Sequence, residues 1–183
     1  MDPASPQVEE KFLSDTADST SGKKPAGDPT SEGRVLVAVD FTPDSEAALI
    51  WACEYAALAG AEVTVLHVVH DPADAPGSYR MKDQDLLRPM QDVAAGMMDE
   101  FLETVRARRP DLAALREAEA ILVKGIPATR ILEQAQAQKA RIIVMGSRGH
   151  TGLPHLLLGS KAERVVQLAS IPVTIVKAKK NND

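Results

Sequence analysis

From Arg34 onward the chain alternates between two spacings of apolar residues. Val35-Leu36-Val37-Ala38-Val39 is an unbroken apolar run ending at Asp40, the pattern of a strand buried on both faces. Thr42-Pro43-Asp44-Ser45 follows. Thr42 suits an N-cap, and Pro43 suits the first helical position, where its missing N–H costs nothing. Ala48, Trp51, Ala52, Tyr55 and Ala59 recur every three or four residues. They predict the inner face of a helix that Gly60 stops. Glu62–Val69 predicts a second strand, and residues 71–79, with Pro and Gly, a loop. Leu87, Met90, Ala94, Met97, Phe101 and Val105 mark a second amphipathic helix, with Pro89 at its first turn and Pro110 beyond its end. A strand over 119–123 and a helix over 127–138 come next, the helix with Ala128, Ile131, Leu132 and Ala135 inward. A strand over 141–145, a helix over 159–169 carrying Ala162, Val165, Val166 and Ala169, and a strand over 171–176 complete the pattern.

Five strands separated by four helices predict βαβ units and a parallel sheet, each crossover right-handed. In such open sheets ligands bind beyond the carboxyl ends of the strands, where the strand order reverses. The segments just after each strand are therefore the places to look for chemistry.

Residues 1–33 break the pattern. They hold four of the twelve prolines, eight Ser or Thr, and seven acids against three Lys. Such a stretch buries too little apolar surface to offset its ordering entropy and is expected to be a disordered tail. A short helix over 8–13 that docks elsewhere is the alternative. The expected organisation is this tail, one domain over 34–178, and a short tail over 179–183. The chain has 183 residues, 44% of them hydrophobic and 3% aromatic, with a net charge of −5. That acidity, with few aromatics to stack bases, argues against nucleic acid and anionic membranes as partners. No apolar run approaches the roughly 20 residues of a membrane helix, and the polar start does not read as a signal peptide. One cysteine excludes an intramolecular disulfide. A soluble, cytoplasmic protein is expected.

The richest segment follows the fourth strand: Gly146-Ser147-Arg148-Gly149, then, after His150–Leu158, Gly159-Ser160. Glycines there let backbone N–H groups approach an anion. Ser160 falls at the start of a helix, where free N–H groups and the dipole favour phosphate. Glycine content alone also fits a simple connection turn. Neither a Walker A loop nor G-x-G-x-x-G is present.

The spacing G-x2-G-x9-G-[ST], read as Gly146, Gly149, Gly159 and Ser160, resembles the universal stress protein family in its ATP-binding branch. IIVMGSRG, GLPHLLLGS, AERVV and IPVTIVK resemble its C-terminal half, and VLVAVDFTPDSEAAL and LHVV its first two strands. The resemblance covers residues 34–178. It implies a doubly wound α/β fold, a five-stranded parallel sheet in the order 3-2-1-4-5 with helices on both faces. It implies ATP, with Mg²⁺, as ligand. Asp40 and Val68 would border the adenine and Ala38 and Met145 would wall the pocket. Gly146, Gly149, Gly159 and Ser160 would hold ribose and phosphates, with Arg148 and Lys161 beside them. It also implies a homodimer through the fifth strand, residues 171–176. Pro154 and His155 stand where many ATP-binding members carry a basic residue. Lys161 stands where Val is common, and either reaches the phosphates or points into solvent.

Other candidates carry less. His67 and His70 lie three apart beside Asp71, but strand alternation separates neighbours and no further ligand is near in sequence. Cys53 among alanines reads as a small buried hydrophobe. Arg106, Arg108 and Arg109 sit at a helix end, where cations offset the dipole. No G-x-S-x-G elbow is present, and Asp40–Ser45 lacks the S-G-G-x-D-S loop of adenylating enzymes. The expected function is an ATP-binding stress-response regulatory or sensing module, with slow hydrolysis at most. The alternative is a nucleotide-independent dimeric interaction protein of the same fold.

Overall fold

The computed structural model describes residues 33–70, 90–150 and 158–179. The predicted tail, the 71–79 loop, Leu87 and Pro89, and most of the segment between Gly149 and Gly159 lie outside the described residues.

Five strands, β1 (Arg34–Ala38), β2 (Glu62–Val69), β3 (Glu119–Lys124), β4 (Ala140–Gly146) and β5 (Val173–Val176), form one sheet in the order β3-β2-β1-β4-β5. Every neighbouring pair is parallel. The helices are α1 (Pro43–Ala59), α2 (Met90–Arg108), α3 (Ala113–Glu117), α4 (Pro127–Ala137) and α5 (Ser160–Leu168). Strand alternation divides the core in two. Val35, Val37, Val63, Val65 and Val144 face α1, α2 and α3. Leu36, Ala38, Leu66, Val68, Ile143 and Met145 face α4 and α5. This is why the central strands read as continuous apolar runs rather than alternating ones.

Helix α1 starts and stops as its sequence predicts. The Thr42 hydroxyl accepts from the Ser45 N–H, Pro43 opens the helix, and Gly60 closes it at φ 65°. Its inner face differs from the predicted one. Ala48, Leu49, Ala52, Cys53 and Ala56 are fully buried, whereas Tyr55 is 39% exposed and Ala59 lies on the surface. Trp51 is half-buried against the core at the edge of this face, and its ring stacks on Tyr55 at 5.3 Å. Small side chains let the helix settle close against β1 and β4, and bulky rings do not fit between.

In α2 the buried residues are Val93, Ala94, Met98, Leu102 and Val105. Met97 and Phe101, predicted inward, are half-buried at the flank. Leu132 is also half-buried, and Val166 is 45% exposed, because α5 buries only Ala162 and Val165. Helix α3 has no counterpart in the sequence reading; its five residues anchor through Leu115. Strand β5 begins at Val173, two residues later than predicted, although the Pro172 carbonyl already accepts from the Ile143 N–H at 3.0 Å.

The reassigned face of α1 is testable. Ala52→Leu should overpack the helix–sheet contact and cost about 1–3 kcal/mol, while Tyr55→Lys should change stability by less than about 0.5 kcal/mol. Paired urea denaturation curves separate the two faces; equal losses would restore the predicted one.

Candidate functional site

Strands β1 and β4 are neighbours whose connections leave in opposite directions, β1 toward α1 and β2, β4 toward α5 and β5. That makes their carboxyl ends the crevice of this sheet. On the β1 side the chain runs through Val39 and Asp40 into Phe41, whose φ of 65° is left-handed. A bulky residue there is strained and must be held by its surroundings. The Phe41 ring stacks on His67 at 4.3 Å and meets Phe101 edge-on at 5.6 Å. His67 is buried in β2, and its Nδ1–H donates to the Val39 carbonyl at 2.8 Å. Burial holds this imidazole below its ordinary value, although the Val39 hydrogen bond and the Asp40 charge favour protonation.

On the β4 side, Gly146 lies against the first turn of α1. A Cβ there would stand 2.9 Å from both the Asp44 carbonyl carbon and the Ser45 nitrogen. Asp44 is buried and binds three segments. Its carboxylate accepts from the Ser147 hydroxyl at 2.6 Å, the Ala178 N–H at 3.1 Å and Arg148 Nε at 3.4 Å. Burial pushes the Asp44 carboxyl up, but those donors outweigh it and leave it below the ordinary carboxylate value.

Gly149 approaches the Asp40 carboxylate so closely that a Cβ would stand 2.7 Å from Oδ2. Among the described glycines only Gly60 and Gly125 are left-handed, so no positive φ calls for glycine at 149, and the close neighbour of a Cβ there is the movable end of the Asp40 side chain. Asp40 itself accepts from the Thr42 hydroxyl at 2.6 Å, and its carbonyl accepts from His150 Nε2–H at 2.6 Å. Gly159 is different again. It has φ −71°, and a Cβ would meet nothing closer than the Ser147 carbonyl oxygen at 3.5 Å.

The structure brings Ala38, Asp40, Val68, Met145, Gly146 and Lys161 around one slot of about 60 Å³. Ser160 lies next door in a cleft of about 720 Å³ that shares His70, Pro127 and Lys161 with the slot. Arg148 and Gly149 border a separate crevice beside Thr42 and Asp44. The Arg148 guanidinium is thus committed to Asp44 rather than to the slot. The sequence reading missed Ser45, Pro127 and Ile131 in the slot wall. Pro127 and Ile131 follow β3, so the rule of searching after each strand held the signal for them. Cys53 is buried and its thiol is pushed up to about 12, mainly by burial. No group of three His, Cys, Asp or Glu among the described residues is arranged to hold a metal ion. No described helix is long and apolar enough to cross a membrane.

A doubly wound parallel sheet with a glycine-lined crevice at its switch point defines a class of ligand-binding α/β domains. Residues 33–177 match the model of the universal stress protein family, and the chain belongs to that family. A universal stress protein of Thermus aquaticus is 32% identical over 143 residues, which cover 78% of this chain and 97% of that one. The solved structure of MJ0577 is 27% identical, covers 81% of this chain and 98% of its own, and gives a TM-score of 0.59. A universal stress protein from Archaeoglobus fulgidus in complex with dAMP is 26% identical, covers 80% and 98%, and gives 0.54. Against other curated relatives the match spans less than half of the relative's length: 45% of one from Mycolicibacterium smegmatis and 35% of one from Methanocaldococcus jannaschii.

The Asp44 junction sets a pH dependence. Its folded value lies below 3.8, so its contribution is complete above the unfolded value and is lost as pH falls through the lowered one. Asp44→Asn should cost about 1–3 kcal/mol at pH 7 and flatten the loss of stability below pH 4. Urea midpoints measured from pH 7 to pH 3 read both effects; an unchanged acid limb would remove Asp44 as its source.

Proposed function

We propose that this chain binds an adenine nucleotide, ATP in the first instance, at the β1–β4 switch and acts as a regulatory or sensing module. The observation that carries this reading is Gly159. Gly146 answers to α1 packing, and Gly149 to the Asp40 carboxylate. No steric demand of that kind falls on Gly159, the N-cap of α5, whose dihedrals suit any residue and where a Cβ would make ordinary contacts only. A glycine kept open there, just before Ser160 and the N–H groups of α5, fits a phosphate that must approach the backbone. The dAMP complex of the Archaeoglobus relative supports the same ligand class.

On this reading Ala38, Val68 and Met145 enclose the base, with Asp40 at its edge. Gly146, Gly149, Gly159 and Ser160 take ribose and phosphates. Lys161, at the join of slot and cleft, is placed to meet phosphate. Arg148 holds the loop through Asp44. The described residues offer Mg²⁺ no carboxylate cage, so such an ion is carried by the phosphates, as Mg²⁺ commonly is. The alternative, a nucleotide-independent interaction protein, accounts for Gly146 and reads Gly159 only as the N-cap of α5, a place that Ser, Asp or Asn fills better.

ATP at 100 times its dissociation constant should stabilise the protein by about 2.7 kcal/mol, roughly 5–11 °C for a chain of this size. Gly159→Val should remove that shift while its unliganded melt stays cooperative and near wild type. No ATP shift at millimolar concentration, with no nucleotide co-purifying, would sink the reading.

We further propose a homodimer through β5. The Pro172 and Val176 carbonyls accept from Ile143 and Ser147 on the β4 side. Strand alternation therefore turns the backbone polar groups of Val173 and Ile175 to the outer edge. Ile175→Pro, which deletes an outward N–H, should give monomers in light scattering at micromolar concentration, whereas Ile175→Ala should stay dimeric. Monomeric wild type would refute the pairing.

A further inference from the structure

Five large apolar side chains stand exposed among the described residues. Four of them, Tyr55, Leu58, Val166 and Leu168, belong to α1 and α5, the helices packed on the two faces of β5. Leu58 is 90% exposed. On α1 they form a stripe with Trp51: residues 51, 55 and 58 follow at intervals of four and three, the spacing of neighbours on one helix flank. Two contacts fix where this flank points. Asp44, seven residues before Trp51 and so on the same flank, accepts from the Ala178 N–H just beyond β5. Glu46 and Glu54 turn the other way, to Arg108 and Arg109 at the end of α2. The stripe therefore overlooks the open edge of β5.

Its bulk suits what an edge-to-edge pair would leave there. Helix α1 packs chiefly on β4, between β1 and β5. An antiparallel β5 pair about a twofold axis normal to the sheet keeps each face on its own side, so α1 meets a second α1. Neighbouring strands lie about 4.8 Å apart, and three such steps put the two helix axes about 14 Å apart. Helices in direct contact lie about 8–10 Å apart. The excess is a trough that alanines cannot close and two rows of large side chains can. The levels agree as well. Gly146 lies against the Asp44–Ser45 peptide. Val144, two residues back along β4 and about 6.6 Å lower, is the register partner of Thr174. The same descent takes about four or five residues of α1 and ends near Leu49. Trp51 thus lies within about 3 Å of the level of Thr174, the centre of a twofold pair that uses Val173 and Ile175 of each copy.

We infer that Trp51, Tyr55 and Leu58 of two copies fill the trough between their α1 helices, with the tryptophans nearest the axis. This rests on the β5 pairing proposed above and adds a second, side-chain layer to it. It also accounts for the division of labour on α1, small residues against the sheet and large rings on the flank.

Trp51 is the only tryptophan in the chain, so its emission reads this contact alone. The full chain is diluted through its dissociation, with light scattering and tryptophan emission followed together. Emission should move to longer wavelength as dimers part. Tyr55→Lys and Leu58→Lys should each raise the dimer dissociation constant about tenfold or more, the loss expected of an anchor near the centre of an interface. Where only monomer is present, neither should move the urea midpoint measurably, because both side chains then face water. Emission that stays constant through dissociation overturns the inference, whether another part of the chain shields the ring or water reaches it throughout. So do lysine variants that dimerise as tightly as wild type; if Ile175→Pro is still monomeric, the β5 pairing then stands alone. A wild type monomeric at every concentration removes both readings.

Discussion

Asp44 is the carboxylate on which the geometry of the crevice depends. It sits in the first turn of α1 and is buried, yet donors from Ser147, Arg148 and Ala178 satisfy it. Those residues belong to the exit of β4 and the segment after β5. One side chain thereby joins the start of a helix to two strand ends that the sequence places more than a hundred residues away. A buried carboxylate is tolerated only when its oxygens are met in this way. Because the donors come from the chain that carries Gly146 and Gly149, the same bonds fix where that loop runs. The missing Cβ of Gly146 lets α1 come close enough for the junction to form.

The strands were legible because burial on both faces leaves a plain mark, runs such as Val35–Val39 and EVTVLHVV. Helix ends were legible where one residue type has one local job, as Thr42, Pro43 and Gly60 do. The inner faces of α1 and α2 were less so. Periodicity gives the spacing of a face but not its phase, and in α1 large aromatic residues compete with alanines at the same spacing. Helix–sheet distance decides that contest, and no local pattern encodes it. Short α3 has one buried side chain, Leu115, and leaves no periodic signal.

The site divides the same way. The spacing of Gly146, Gly149, Gly159 and Ser160 pointed to one region, and the sheet order places that region at the switch. What spacing could not reveal is that the three glycines sit in three different surroundings: a helix backbone, a carboxylate, and ordinary contacts at a helix N-cap. The commitment of Arg148 to Asp44 was equally hidden, since a partner 104 residues distant in sequence is a product of topology.

Cys53 has a consequence for how the folded chain meets oxidants. Its thiol is the only one in the sequence, lies on the buried face of α1, and is pushed up to about 12. Almost no thiolate exists there at neutral pH, and the thiolate is the form that peroxides, disulfides and electrophiles attack. The folded chain is therefore deaf to thiol oxidants. Oxidation of Cys53 has to wait until α1 lifts from the sheet, so its rate measures how often the fold opens there.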